Sequence, residues 1–271
     1  MPSSSSNLSK SEKREAAREQ ARQLREAQAK REKRNRNLMI AGIVALIVIV
    51  AVAVYAIISA GNEQANESAI EQVSEVPANT TLADGGISLG SSLTAGTANE
   101  GAPVLDVYLD FTCTYCEQFE AVNADDIDAM VSAGDATVVY HPVAILDSTG
   151  DFSGFSGRAA QAAAVVADQA PEAYNAFQGA LFDLYRGAGA TEGAAAGEPT
   201  DADIAAAAVE AGVPQAVADA IDDGSFTEWV EATTQQFGKD GHTGTPTVLI
   251  DGEDFEGWTE EGALAQAVAG A

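Results

Sequence analysis

The stretch Val104-Leu105-Asp106-Val107-Tyr108-Leu109-Asp110-Phe111-Thr112-Cys113-Thr114-Tyr115-Cys116 decides how this chain folds. Residues 104–111 are rich in the β-branched and aromatic side chains that suit a pleated surface, and they predict a strand. Residues 113–132 contain neither Gly nor Pro and predict a helix. A second apolar run over residues 136–143 predicts another strand. Strand, helix and strand in that order make a β–α–β unit, with the two strands parallel and the crossover right-handed. Cys113 and Cys116 are the only cysteines of the 271 residues, and they fall where the first strand hands over to the helix.

Downstream lies a helical block. Residues 158–169 are Ala-rich and stop before Pro171, which fits the first position of a second helix closed by Gly187. A Gly/Ala-rich loop follows. Thr200 with Asp203 forms one capping-box pattern and Ser225 with Glu228 another, the latter leading a helix to about Phe237. Gly212 ends the first of these helices and Pro214 opens a further one. Residues 247–250 predict a strand turned by Asp251-Gly252, and residues 262–268 a last helix. Upstream, residues 87–89 predict a short strand after the Asp84-Gly85-Gly86 turn, and residues 91–102 read as loose. The order gives an α/β layer fold with helices inserted between its halves.

Charge divides the chain. Residues 1–37 hold 11 Lys+Arg and 5 Asp+Glu, a net +6, whereas residues 62–271 hold 3 Lys+Arg against 36 Asp+Glu, a net −33. The acidic part excludes nucleic-acid binding, which needs clustered cations. Between the two lie 21 uncharged residues, 38–58, rich in Ile, Val, Ala and Leu. At about 1.5 Å per residue a helix of that length crosses the roughly 30 Å hydrocarbon layer, so a single-pass transmembrane helix in the lipid bilayer is expected. A cleaved signal peptide has a shorter basic start, although Ser59-Ala60-Gly61 offers the small residues a cleavage uses. Lys30, Arg31, Lys33, Arg34 and Arg36 suit anionic headgroups and keep the N-terminus cytoplasmic. The expected organisation is a basic cytoplasmic segment at 1–37, the membrane helix at 38–58, a flexible acidic linker at 59–80, and an extracytoplasmic domain at 81–271 with its helical insertion at about 155–238.

A thiol at a helix start meets free amide groups and the positive end of the helix dipole, which stabilise a thiolate. Cys116, one turn on, is placed to attack a mixed disulfide formed at Cys113. The second candidate element is Gly244-Thr245-Pro246-Thr247 before the later strand. Pro removes a ladder donor, and a cis bond there would free a backbone edge for an extended substrate. Other readings stay open. The cysteines suit a static structural disulfide, or a copper or zinc site completed by His141 or His242. Asp110 either influences Cys113 electrostatically or bonds backbone. Tyr115, Phe111 and Trp258 either line a groove or pack the core.

The run from Asp110 to Cys116 and the later Gly244-Thr245-Pro246-Thr247-Val248-Leu249-Ile250 resemble the DsbA-like branch of the thioredoxin superfamily, and its membrane-anchored bacterial members most of all. Arg158-Ala159-Ala160 and residues 225–230 resemble that branch's helical insertion. The resemblance covers about residues 85–271. It implies a thioredoxin-like fold and a thiol–disulfide oxidoreductase that forms or exchanges disulfides in exported cysteine-containing proteins, without a cofactor or metal and with a possible membrane redox partner. It implies that Cys113 is the nucleophile, Cys116 the resolving thiol, and Thr245-Pro246 a cis dipeptide contacting substrate, with Asp110 and Tyr115 around them. Three departures bear on the direction of exchange. Thr114-Tyr115 lacks the Pro and the His that relatives carry between the cysteines, and Val107 stands where thioredoxins proper have a buried acid. The alternatives are a non-catalytic binding module of the same fold and a copper-handling protein.

Overall fold

The computed structural model describes residues 68–189 and 197–271. The expected basic segment, the membrane helix and residues 59–67 of the expected linker lie outside the described residues. Among the described residues no helix is long and apolar enough to cross a membrane.

The strands are β1 (Ile87–Leu89), β2 (Val104–Leu109), β3 (Thr137–Pro142), β4 (Thr247–Ile250) and β5 (Glu253–Asp254), joined in the order β1-β3-β2-β4-β5. β2 and β3 run parallel, as the strand–helix–strand reading requires, and every other pair is antiparallel. The crossover between β2 and β3 is α1 (Thr114–Ala133), which ends where Gly134 turns left-handed at φ 86°. The β4–β5 turn needs positive φ at both central residues, and Asp251 and Gly252 supply 50° and 82°. Alternation along β2 sends its side chains to opposite faces. Tyr108 packs with Phe237, Val143 and Leu249, while Val107 and Leu109 join the main core with Phe119 and Ile127 of α1.

Between β3 and β4 come α2 (Phe155–Gln169), α3 (Tyr174–Gly187), α4 (Asp201–Glu210), α5 (Gln215–Ala218) and α6 (Thr227–Lys239); α7 (Ala263–Val268) closes the chain. α2 is the hub of the insertion, and its run from Ala162 to Ala167 is buried on every side. Alanine makes this possible, because a small side chain lets neighbouring helices approach closely and loses no rotamer entropy. Gly157 goes further, since a Cβ there would lie 2.2 Å from the Phe152 carbonyl oxygen. Pro171 starts a single 3₁₀ turn, Pro171–Ala173, that runs into α3.

The Thr200–Asp203 capping box is present in both directions. The one expected at Ser225 is absent. Asp223 accepts from both the Ser225 amide and its hydroxyl, so the serine is held in a turn and α6 starts at Thr227 without a side-chain cap. Residues 91–102 are not loose either. The Asn99 amide group donates to Val131 and Ala136 carbonyls at 2.8 and 2.6 Å, clamping the loop to the end of α1.

The expected linker also needs correction. Residues 68–80 fold onto the domain. Ile70 is fully buried within the short 3₁₀ turn Ile70–Gln72, and the Ala69 amide donates to Gln236 Oε1 at 2.9 Å. Asn79 donates to the Ala167 carbonyl of α2 at 2.8 Å. The folded domain therefore begins at or before residue 68. Ile70→Ala should destabilise it by about 2–5 kcal/mol in chemical denaturation, the cost of removing a large aliphatic group from a packed site. A change within about 0.5 kcal/mol, as for a surface position, would restore the tether reading.

Candidate active site

β2 ends at Leu109, and the next residues make one tight turn before α1 begins. The Cys113 amide donates to the Asp110 carbonyl at 3.0 Å, and Cys113 itself is the N-cap with extended φ and ψ of −77° and 119°. An N-cap residue usually satisfies helix amides with a side-chain oxygen. Here the Cys113 side chain caps nothing, so the amides at the start of α1 remain available to an anion. Across the gap, Thr245 and Pro246 join through a cis peptide bond. The Cys113 thiol donates to the Thr245 carbonyl at 3.2 Å, joining residues 132 apart in sequence. The two elements expected to face each other do so.

The thiols are displaced in opposite directions. Cys113 is lowered to about 6, chiefly because the Cys116 thiol donates to its sulfur. The Thr245 hydroxyl and the amides of Tyr115 and Cys116 add to this, against the cost of burial. Cys116 is pushed well above the ordinary thiol value, first by burial and then by Cys113 itself. One sulfur is thus largely a thiolate at neutral pH, and the other holds its proton. The buried Thr245 hydroxyl favours the anionic form of either sulfur.

Asp110 contributes by position. It is fully buried, and its carboxylate accepts from Thr112 N at 2.9 Å, Thr112 Oγ at 2.8 Å, Leu146 N at 3.0 Å and Ser156 Oγ at 2.7 Å. Burial raises this carboxyl, and the four donors act against it. Its backbone favours the Cys116 anion. Asp110 thus bonds backbone at Thr112 and Leu146 and hydroxyls at Thr112 and Ser156. The side chain ties the cysteine loop to the β3–α2 connection and to the first turn of α2.

The aromatic candidates separate. Tyr115, between the cysteines, is 62% exposed and available to a partner. Phe111 is buried against Phe182 of α3, and Trp258 packs edge-on to Phe119. Neither histidine is brought to the sulfurs by any described contact. His141 Nε2 pairs with Asp106 at 2.9 Å and its ring stacks on Tyr108, while His242 lies against Tyr108 and Phe237. Val107, in the place of the missing acid, is part of the apolar core. Sequence reasoning missed Ser156, Glu117 and Arg186. The last two line a cavity of about 140 Å³ beside Cys113, to which α3 contributes Phe182, Tyr185 and Arg186. Nothing in local sequence joins α3 to the cysteine loop.

The low Cys113 value links protonation to stability. A depressed acid stabilises the reduced fold above the value of a free thiol, near 9, and that contribution is lost as pH falls through about 6. Ultraviolet thiolate absorbance of the reduced protein should therefore titrate near pH 6. Over the same interval, from about 9 down to about 6, the reduced form should lose stability relative to the disulfide form. A midpoint at the free-thiol value would contradict both statements. Thr245→Val should raise the midpoint by about one to two units, since a hydrogen bond to a charged group contributes about 1.5–3 kcal/mol.

Comparison with known proteins agrees with this geometry. The family model described as Thioredoxin matches residues 92–268. MdbA from Actinomyces oris, a thiol-disulfide oxidoreductase, is similar with a TM-score of 0.60 and 25% identity, over 75% of this chain and 99% of that one. Oxidised DsbA from Mycobacterium tuberculosis gives a TM-score of 0.56 and 31% identity over 68% of this chain and 90% of its own. The disulfide bond oxidoreductase DsbG of the same organism, in its reduced form, gives 0.56 and 31% over 68% and 85%. A search of curated protein sequences finds no significant match. The span matched by the family model takes in both sulfurs and the cis proline that faces them, and the chain belongs to the thioredoxin family.

Proposed function

We propose that this protein is a membrane-anchored, extracytoplasmic thiol–disulfide oxidoreductase that donates its Cys113–Cys116 disulfide to exported cysteine-containing proteins. The observation that carries this reading is the opposite displacement of the two thiols, one to about 6 and the other well above 9. Relatives with solved structures, MdbA of Actinomyces oris among them, bear the name of the same activity. A thiolate stabilised at Cys113 lowers the free energy of the reduced form, so the disulfide form is a strong oxidant.

A substrate thiolate attacks Cys113 Sγ; its sulfur bonds there, and the S–S electron pair leaves with Cys116, which takes a proton because its thiol is the more basic. A second substrate thiolate then attacks the substrate sulfur of the mixed disulfide. The Cys113 thiolate leaves, and the substrate departs oxidised by two electrons. The low basicity of Cys113 makes it the better leaving group in this second step. The Thr245 backbone, whose carbonyl lies beside Cys113, offers the approaching peptide a pairing edge. Support for anchoring comes from the 21 uncharged residues at 38–58 and the change of charge across them.

Oxidised full-length protein in detergent should restore activity to reduced ribonuclease. Cys113→Ala and Cys116→Ala, neither of which can form the bridge, should both abolish this, while Cys113 of Cys116→Ala should form a stable mixed disulfide with added oxidised glutathione, releasing reduced glutathione. Full activity in both variants would leave a static binding module. In intact spheroplasts, added protease should reach the acidic domain; protection there would overturn the proposed topology.

A further inference from the structure

Electrostatics poses a problem for the proposed reaction. The attacking group is a thiolate, and the part of the chain it approaches carries 36 Asp+Glu against 3 Lys+Arg. One of those acids stands beside the nucleophile. Glu117 is in the first turn of α1, its amide donates to the Cys113 carbonyl at 3.1 Å, and its side chain lines the same cavity as Cys113. Alone, that carboxylate would repel an incoming anion.

The three cations are placed unequally. Arg158 is committed to Asp201 at 2.7 Å, Glu198 at 3.7 Å and the Pro199 carbonyl at 2.8 Å. Lys239 ends α6 and lines a different cavity with Glu228 and Glu231. Arg186, in the last turn of α3, lines the cavity beside Cys113 and places Nε 3.5 Å from Glu117 Oε1. It also pairs with Asp183 of its own helix, yet its side chain remains 57% exposed. The buried Phe111–Phe182 contact holds α3 to the cysteine loop.

We propose that Arg186 is a specificity-determining residue of the exchange reaction: it offsets the Glu117 carboxylate at the cavity beside Cys113 and so lessens the repulsion that anionic thiols, and cysteines with acidic neighbours, meet at this acidic domain. This rests on the proposed oxidoreductase function. The step it assists is the first exchange, in which the incoming thiolate bonds to Cys113 Sγ as the bond to Cys116 breaks. Arg186 takes no proton and forms no bond. It acts on the approach of charge, an effect that falls with ionic strength.

The test uses the oxidised full-length protein and three small thiols of matched size: 2-mercaptoethanesulfonate, 2-mercaptoethanol and cysteamine. Second-order rates, corrected for each reagent's thiolate fraction, are compared at low and high salt. Arg186→Glu should lower the anionic-to-cationic rate ratio about tenfold at low salt, and high salt should remove most of the change. Arg186→Lys should keep the ratio within about twofold of the parent, and Arg186→Gln paired with Glu117→Gln should recover most of what Arg186→Gln alone loses. An unchanged ratio in Arg186→Glu, or an equal slowing of all three thiols, overturns the inference while leaving the oxidoreductase intact. Failure of every thiol to reduce the parent disulfide would remove both.

Discussion

Tyr108 lies opposite Thr247 in the antiparallel pair of β2 and β4, and that register places the reactive sulfur. Counting on from Tyr108 reaches Cys113; counting back from Thr247 reaches the cis Pro246. The two counts converge on a 3.2 Å contact between segments 132 residues apart. A slip of one residue would reverse which face every β4 side chain occupies and move Val248 out of the core. The register is thus fixed by burial, and the chemistry inherits its precision from packing.

Much of the architecture is written in short-range pattern. The strand–helix–strand unit follows from an apolar β-rich run, an uninterrupted helical run and a second apolar run, all within residues 104–143, and the structure returns it nearly residue for residue. The cysteine pair at the junction and the proline before β4 were legible because each has a local chemical meaning. What was not legible depends on partners distant in sequence. Asp110 receives hydrogen bonds from residues 36 and 46 positions away, which no local pattern records. Ile70, Val73 and Val76 recur every third residue in an otherwise polar and acidic stretch too short to read as an element, and the tertiary fold shows Ile70 buried with the two valines packed against the same core. At Ser225 a capping signal was present but lost to a nearer competitor, the carboxylate of Asp223.

The insertion serves the site without holding the nucleophile. Its central helix is built from alanine, so its neighbours lie close, and two of them meet the redox centre. α2 sends Ser156 to Asp110, and α3 closes the cavity beside Cys113 with an arginine that a long run of acids makes conspicuous. A thioredoxin core alone supplies the sulfurs and the cis proline. The added helices supply the other wall of the cavity beside Cys113.

Asp110, itself fully buried, joins three segments through two oxygen atoms, and its bonds to Thr112 and Ser156 are buried as well. A helix of the insertion cannot shift relative to the cysteine loop without stripping donors from a carboxylate that has no solvent to replace them. The cysteine loop, the β3–α2 connection and the first turn of α2 are therefore tied at one carboxylate, and its removal would leave Leu146 N and Ser156 Oγ without their acceptor on two segments at once.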